Sequence, residues 1–191
     1  IPVKTNFKIV SAVLDTTANL SFTRFKNKPP VLKITGNVEL KNAALDDLRD
    51  NKILRSPSLK ITMASVEPLV PAVHLSSVTL QSPEVVLRRT REGELVYPGP
   101  VPARGKQEAE KKAEKPLSAR IDSWKLEGGK VTFIDMVPEE TATIRIDSLN
   151  VRAENISTDK GSKGSLDLAM TIDPKGTVSV KGPVGIEPLA A

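Results

Sequence analysis

Two stretches of the sequence share one pattern of aliphatic residues, and this internal repeat restricts what the chain can fold into. Residues 74–88 read HLSSVTLQSPEVVLR, and residues 119–135 read ARIDSWKLEGGKVTFID. The matched positions are Leu75 with Ile121, Ser77 with Ser123, Val78 with Trp124, Leu80 with Leu126, Val85 with Val131 and Leu87 with Phe133. Alternation of aliphatic and polar residues is typical of a β-strand that buries one face. The repeat therefore predicts two related β units.

Each copy carries a break at its centre, Ser82-Pro83 in the first and Gly128-Gly129 in the second. Glycine tolerates the positive φ that a short hairpin turn requires. Strict alternation resumes after the glycines and places Val131 and Phe133 on one face. The second copy is therefore predicted to be two strands joined by a tight turn.

The composition favours an aliphatic, all-β interior. Hydrophobic residues make up 39% of the 191 residues but aromatic residues only 3%, which does not suit a base-stacking surface. Fifteen prolines argue against long helices. The absence of cysteine excludes disulfides and thiolate metal sites, and one histidine leaves few other metal ligands. The net charge of +5 is closer to ordinary solubility than to a nucleic-acid footprint.

The remaining strands follow from the same alternation. Residues 6–25 predict two edge strands around a turn near 15–19, and 31–40 predict one strand bent at Gly36. Further strands are predicted at four places, residues 58–66, 141–157, 165–173 and 177–186. Ala43 to Arg49 is the best helical candidate, although a loop fits it equally well. The expected fold is all-β and mainly antiparallel, with repeated units in a curled, elongated sheet or groove and at most one or two short helices.

The domain organisation is set by one segment that lacks aliphatic residues apart from Val101. Residues 98–116 are rich in proline and alternating charge, which predicts a flexible linker. It separates a first β unit, 1–97 (leading strands 1–29, repeat 30–97), from a second, 117–191. No membrane-spanning stretch or signal peptide is evident. Because the sequence begins Ile1-Pro2, we expect a segment of a longer polypeptide whose anchor lies elsewhere.

Catalysis and metal binding are poorly supported. His74 aligns with Arg120, and both are expected to face solvent. The acidic group at 46–50 lacks the glycine and final glutamate of a calcium loop, so a solvated helix end is the better interpretation. The arginines at 88–91 could contact anionic headgroups, but charged strand edges more often prevent aggregation. We predict no enzyme, no cofactor and no metal.

Several phrases resemble a known family. LKITGNVELKNAAL, VHLSSVTLQSPEVVLRRTREGELVY and IDSWKLEGGKVTFIDMVPEETATIRIDSLNVRAENIS are similar to the bacterial AsmA-like proteins, and most of all to their DUF748 group; the match covers about residues 30–190. The resemblance implies a periplasmic β-groove anchored in the inner membrane of a Gram-negative bacterium. It also implies a role in phospholipid movement between membranes and in outer-membrane assembly, without catalytic residues.

The predicted site is the alternating apolar face, as a lining for phospholipid acyl chains. Its residues are Leu59, Ile61, Leu75, Leu80, Val85, Leu87, Leu126, Val131, Phe133, Ile146, Leu149, Val151, Leu166 and Leu168. Burial of methylene groups requires no directional contact, which suits a lining with few polar anchors. The alternative is a β-sandwich scaffold or adhesion module of the envelope, whose apolar face is filled by its own core. A hydrolase is a third, weaker hypothesis.

The expected partners, besides acyl chains, are neighbouring repeats of the parent protein. The predicted edge strands, Phe7 to Leu14 and Val178 to Ile186, would have unpaired backbone groups. Weak self-association through these edges is expected.

Overall fold

The computed structural model describes residues 7–97, 117–173 and 176–185, and in these residues the fold is all-β without an α-helix. The all-β prediction is confirmed. The predicted linker, 98–116, lies outside the described residues. Ten strands form one curled, mainly antiparallel sheet. The strands are β1 (Phe7–Thr23), β2 (Val31–Asp47), β3 (Lys52–Glu67), β4 (Ala72–Gln81), β5 (Glu84–Arg89), β6 (Leu95–Val96), β7 (Ser118–Asp135), β8 (Ala142–Ser157), β9 (Gly164–Ile172) and β10 (Gly176–Val184).

The sheet runs in the order β1-β2-β3-β4-β7-β8-β9-β10, so β1 and β10 are the end strands of this path. Strand β5 continues β4 and pairs with both β3 and β7, and the two-residue β6 pairs with β5. Of the segments predicted to be edges, 7–14 lies in β1 and residues 178–184 of the other lie in β10.

The two copies of the repeat lie side by side and in register. Strand β4 pairs in parallel with β7, with Leu75 opposite Ile121 and Leu80 opposite Leu126. Strand β5 continues the pairing, with Val85 opposite Val131. Positions that match in the sequence are therefore neighbours in space. This pairing joins the two halves into one sheet, which decides between a continuous sheet and two separate sandwiches.

The predicted tight turn at Gly128-Gly129 is wrong. Strand β7 runs through both glycines, and the register with β8 shifts on either side of Gly129, as in a β-bulge. Gly128 has φ 65°, a value that a bulge can use as readily as a turn. The residues on both sides of the glycines pair antiparallel with β8, so the chain keeps its direction. In the first copy, Ser82 and Pro83 separate β4 from β5 without reversing the chain.

Two further predictions are wrong for a related reason. Residues 6–25 hold one long strand, β1, whose described residues pair with β2 without a turn near 15–19. The candidate helix at 43–49 instead belongs to the end of β2 and the turn that follows. Ala43 and Ala44 are buried between β1 and β3, and pairing on both sides outweighs the weak helical propensity of so short a segment.

Asp47 holds together the turn between β2 and β3. Its side chain is 10% exposed, and Oδ1 accepts hydrogen bonds from the backbone N–H groups of Arg49 (2.9 Å) and Asn51 (2.8 Å). The Asn51 amide also donates to Oδ2, at 2.9 Å. Burial acts to raise the pKa of this carboxyl, but these hydrogen bonds and nearby Arg88 outweigh burial and hold the pKa below its usual value. The turn therefore depends on an ionised carboxylate.

We expect the variant Asp47→Asn to lose about 1–2 kcal/mol of unfolding free energy at neutral pH, because Asn51 and Arg49 lose a charged acceptor. A folded-state pKa below the unfolded value means that this contribution is complete above about pH 4 and is lost as the pH falls through the folded pKa. Urea unfolding at pH 7 and pH 3 should show the difference from wild type shrinking at the lower pH. A difference in unfolding free energy that is the same at pH 7 and pH 3 would contradict this prediction. Glu140→Gln, in the β7–β8 loop, is the control, because Glu140 has no ion-pair partner in the described structure.

Candidate functional site

The candidate site is one face of the sheet, on which uncharged residues form rows that cross all eight positions of the strand path. Residues directly opposite each other on paired strands project from the same face, so the pairing identifies each row. The central row is Leu14, Leu40, Leu59, Leu80, Leu126, Val151, Leu168 and Val180. The second row is Thr16, Val38, Ile61, Val78, Trp124, Ala153, Leu166 and Gly182. The third row is Ile9, Leu45, Leu54, Val85, Val131, Ile146, Ile172 and Gly176.

The three rows lie on the same face. In β9 the rows contribute Leu166, Leu168 and Ile172, which are separated by two and four residues, and β9 pairs with β10 without a register shift. Even spacing in a regular strand keeps side chains on one face. Because paired residues share a face, the same holds for the strands on the other side of β9. We call this surface the apolar face.

In most other strands the central and third rows are five residues apart, as for Leu126 and Val131, and an odd spacing would normally change the face. An extra residue in the bulged region compensates. Residues with positive φ lie in this stretch at four places: Asn42 (50°) in β2, Ser82 (42°) between β4 and β5, Gly128 (65°) in β7 and Ser148 (52°) in β8. A Cβ placed on Gly129 would lie 2.7 Å from Leu126 Cδ2 and 3.4 Å from Leu149 Cβ, so this position points to the apolar face. These bulges and positive-φ residues of neighbouring strands together keep the apolar face continuous.

No second layer covers the apolar face in the described structure. Every described strand belongs to the one sheet, and the buried hydrophobic residues are only Ala43, Ala44, Ile53, Val151 and Ala153. Along the central row, exposure falls from 63% at Leu14 to 8% at Val151 and rises to 50% at Val180. The neighbours of Val151 on the opposite face, Asn150 and Arg152, are exposed. On β8 the apolar face is therefore the buried side, and neighbouring side chains of the sheet alone shield it.

All fourteen predicted lining residues are in described strands, and the pairing brings most of them into the rows. Leu59, Leu80, Leu126, Val151 and Leu168 share the central row. The second row contains Ile61 and Leu166, and the third contains Val85, Val131 and Ile146. Leu87 pairs with Phe133, Leu75 pairs with Ile121, and Leu149 lies opposite Gly129.

Sequence reasoning left out several residues of the same rows. Val78 and Trp124 are matched positions of the repeat and occupy the second row beside Ile61. Leu40 and Val38 alternate in β2 and extend both rows toward β1. The alternation itself could have identified all four. The residues of β1 that lie in these rows could be identified only if β1 was recognised as one strand.

The opposite face is polar and carries ion pairs between neighbouring strands. Lys41 Nζ lies 2.6 Å from Asp15 Oδ2, and Arg55 Nη2 lies 2.6 Å from Asp46 Oδ1. Lys52 and Glu84 form a third pair across β3 and β5. Charge is thus separated from the apolar face by the alternation of each strand.

His74 lies at the junction of the two halves, in β4. It pairs with Arg120 across β4 and β7, as the repeat alignment implies. His74 Nε2 is 2.8 Å from Asp122 Oδ2, and Arg120 Nε is 2.7 Å from Asp122 Oδ1. Hydrogen bonds from Arg120 and then His74 hold the pKa of the Asp122 carboxyl below its usual value. His74 is 35% exposed rather than fully in solvent, and it connects the parallel strands.

The part of the chain that the structure describes has no cluster of three or more histidine, aspartate or glutamate residues placed to hold a metal ion. The described residues also contain no helix long and apolar enough to cross a membrane.

The fold and the candidate site define a class of protein: a single-layer, curled β-sheet with a continuous apolar face. Comparison with protein-family models, curated proteins and solved structures gave no match. The resemblance to AsmA-like proteins stays a prediction from the sequence phrases given above.

Proposed function

We propose that the chain is a non-enzymatic segment of an AsmA-like envelope protein whose apolar face holds phospholipid acyl chains during transport between membranes and in outer-membrane assembly. One observation carries the proposal: three uncharged rows cross eight strand positions, and no other described layer covers them. Monomeric soluble proteins rarely expose so large an apolar surface without a binding role.

Acyl chains suit this surface better than a ligand with fixed polar groups. The rows contain one aromatic residue, Trp124, and no charged residue, so directional contacts are scarce. At a strand spacing of about 4.8 Å, the eight positions span roughly 34 Å across the sheet. Each methylene group buried on such a face contributes about 0.8 kcal/mol without a specific partner. A long hydrocarbon chain can therefore bind through area alone.

The proposal includes a location and partners. In it, the chain lies in the periplasm of a Gram-negative bacterium, and the parent protein is anchored in the inner membrane outside this segment. The edges of β1 and β10 would pair with neighbouring repeats, extending the apolar face. The competing scaffold hypothesis requires a filled interior, and the described residues supply few buried aliphatic side chains for one.

The test is binding of a fluorescent fatty acid to the purified chain. We expect Leu80→Glu to weaken binding at least tenfold, because a carboxylate in the central row must lose hydration when hydrocarbon covers it. Thr79→Glu is the matched control, because Thr79 lies on the opposite face between Lys60 and Lys125 and should leave affinity unchanged. Circular dichroism verifies that both variants keep the β-sheet. Equal affinity of the two folded variants, or no binding to wild type, would contradict the proposal.

A further inference from the structure

The two ends of the sheet carry opposite charge. The strands all run between the same two ends of the sheet, because neighbouring strands are antiparallel except for the parallel β4–β7 and β5–β7 pairs. Every described turn therefore lies at one of these two ends. One end contains residues 24–30, 68–71, 117, 158–163 and 185, and we call it the basic end. The other contains residues 48–51, 90–94, 136–141 and 173, and we call it the acidic end.

At the basic end the described residues include five cationic side chains and one acidic one. The cations are Arg24, Lys26, Lys28, Lys160 and Lys163, and the acid is Asp159. None of the five forms an ion pair with another described residue, whereas the lysines and arginines of the sheet's polar face are often paired. At the acidic end, two arginines face six carboxylates: Asp50, Glu92, Glu94, Glu139, Glu140 and Asp173.

The basic end also exposes apolar side chains. Phe25, between Arg24 and Lys26, is 45% exposed, and in the β3–β4 turn Leu69 is 53% exposed. Leu117 is 56% exposed. The acidic end also exposes apolar side chains, among them Leu48 at 70%. Charge, rather than hydrophobicity, therefore distinguishes the two ends.

Hydrogen bonds hold three of the basic-end segments together. Ser118 N donates to the carbonyl oxygen of Pro71 (2.9 Å), and Ser118 Oγ donates to Asp159 Oδ1 (3.1 Å). Thr158 Oγ1 donates to the carbonyl oxygen of Leu117, at 3.1 Å. The β3–β4 turn, the start of β7 and the β8–β9 turn thus form one surface. Asp159, the one acid among the described turn residues of this end, is already a hydrogen-bond acceptor.

We propose that the basic end docks on an anionic phospholipid surface, with Phe25, Leu69 and Leu117 entering the interface. Each lysine or arginine close to such a surface contributes attraction that salt screens, and apolar side chains between cations add burial in the headgroup region. The six carboxylates would keep the acidic end away from the same surface. This orientation would direct the strands, and the apolar face between them, toward the bilayer. The inference rests on the proposed function, because a face that holds acyl chains must meet a membrane.

The test is cosedimentation of the 191-residue chain with vesicles of phosphatidylcholine, with and without phosphatidylglycerol. Wild type is expected to bind the anionic vesicles and to be released by salt. The variant Lys26→Glu/Lys28→Glu should lose at least tenfold in vesicle affinity. The matched control, Arg49→Glu/Arg91→Glu, makes the same change in net charge at the acidic end and should bind at least as well as wild type.

Three outcomes would overturn this inference: equal binding to neutral vesicles, equal loss in both variants, or no binding. A fourth outcome would also overturn it: the basic end of one copy binds the acidic end of another. Sedimentation velocity would then show assembly without lipid, and both variants would abolish this assembly. The Lys26→Glu/Lys28→Glu variant should still bind the fluorescent fatty acid in solution. Vesicle binding without fatty-acid binding would contradict the proposed function instead, and fatty-acid binding without charge-dependent docking would contradict only this inference.

Discussion

Replacing Gly36 with alanine is expected to release strand β1 from the sheet. A Cβ on Gly36 would lie 1.9 Å from the carbonyl oxygen of Thr17, which belongs to the backbone of β1 and cannot rotate away. Gly36 also has φ 144°, a conformation that side chains disfavour. Overpacking and backbone strain together should cost roughly 3 kcal/mol or more of the stability of the β1–β2 pairing.

The consequence should be local, because β1 pairs only with β2 and nearly all its residues are exposed. Amide hydrogen exchange should show loss of protection in β1 while β7 and β8 stay protected. Gly182→Ala is the matched control, since a Cβ there meets no atom within 4 Å. Protection of β1 in Gly36→Ala equal to that of the control would contradict the expected steric conflict.

The internal repeat predicted more of the fold than the amino-acid composition did. Matching Leu80 with Leu126 and Val85 with Val131 aligned residues that are direct neighbours in the sheet. Alternation also identified the polar and apolar sides of most strands, because the side-chain period of a strand is two. The sequence could not show that the two copies pair with each other in parallel, since parallel partners are distant in sequence and no turn joins them.

The tight turn at Gly128-Gly129 was predicted wrongly because turns and bulges use the same backbone conformation. Positive φ at Gly128 and Ser82 is compatible with chain reversal or with one extra residue in a continuing strand. The choice depends on whether neighbouring strands pair on both sides of the break. The same uncertainty split β1 into two strands and left the apolar residues of β1, such as Leu14 and Leu20, out of the predicted site.

The candidate site was largely predictable, since an apolar face needs only alternation and a count of strands. What the sequence left open was whether a second sheet covers that face. The single sheet of the described residues answers this through topology: β4 meets β7 edge to edge, so the second half extends the sheet instead of stacking on it. The uncovered face is the basis of the proposed function.

The most direct test places a photo-crosslinking amino acid on each face of the sheet and exposes the folded chain to phospholipid vesicles. Val131 and Leu80 lie on the apolar face, in the third and central rows, and Lys130 and Thr79 are their neighbours on the opposite face. We predict phospholipid adducts at Val131 and Leu80, with little or no labelling at Lys130 and Thr79. Equal labelling of both faces, or no adduct at either, would contradict the claim that the apolar face holds lipid.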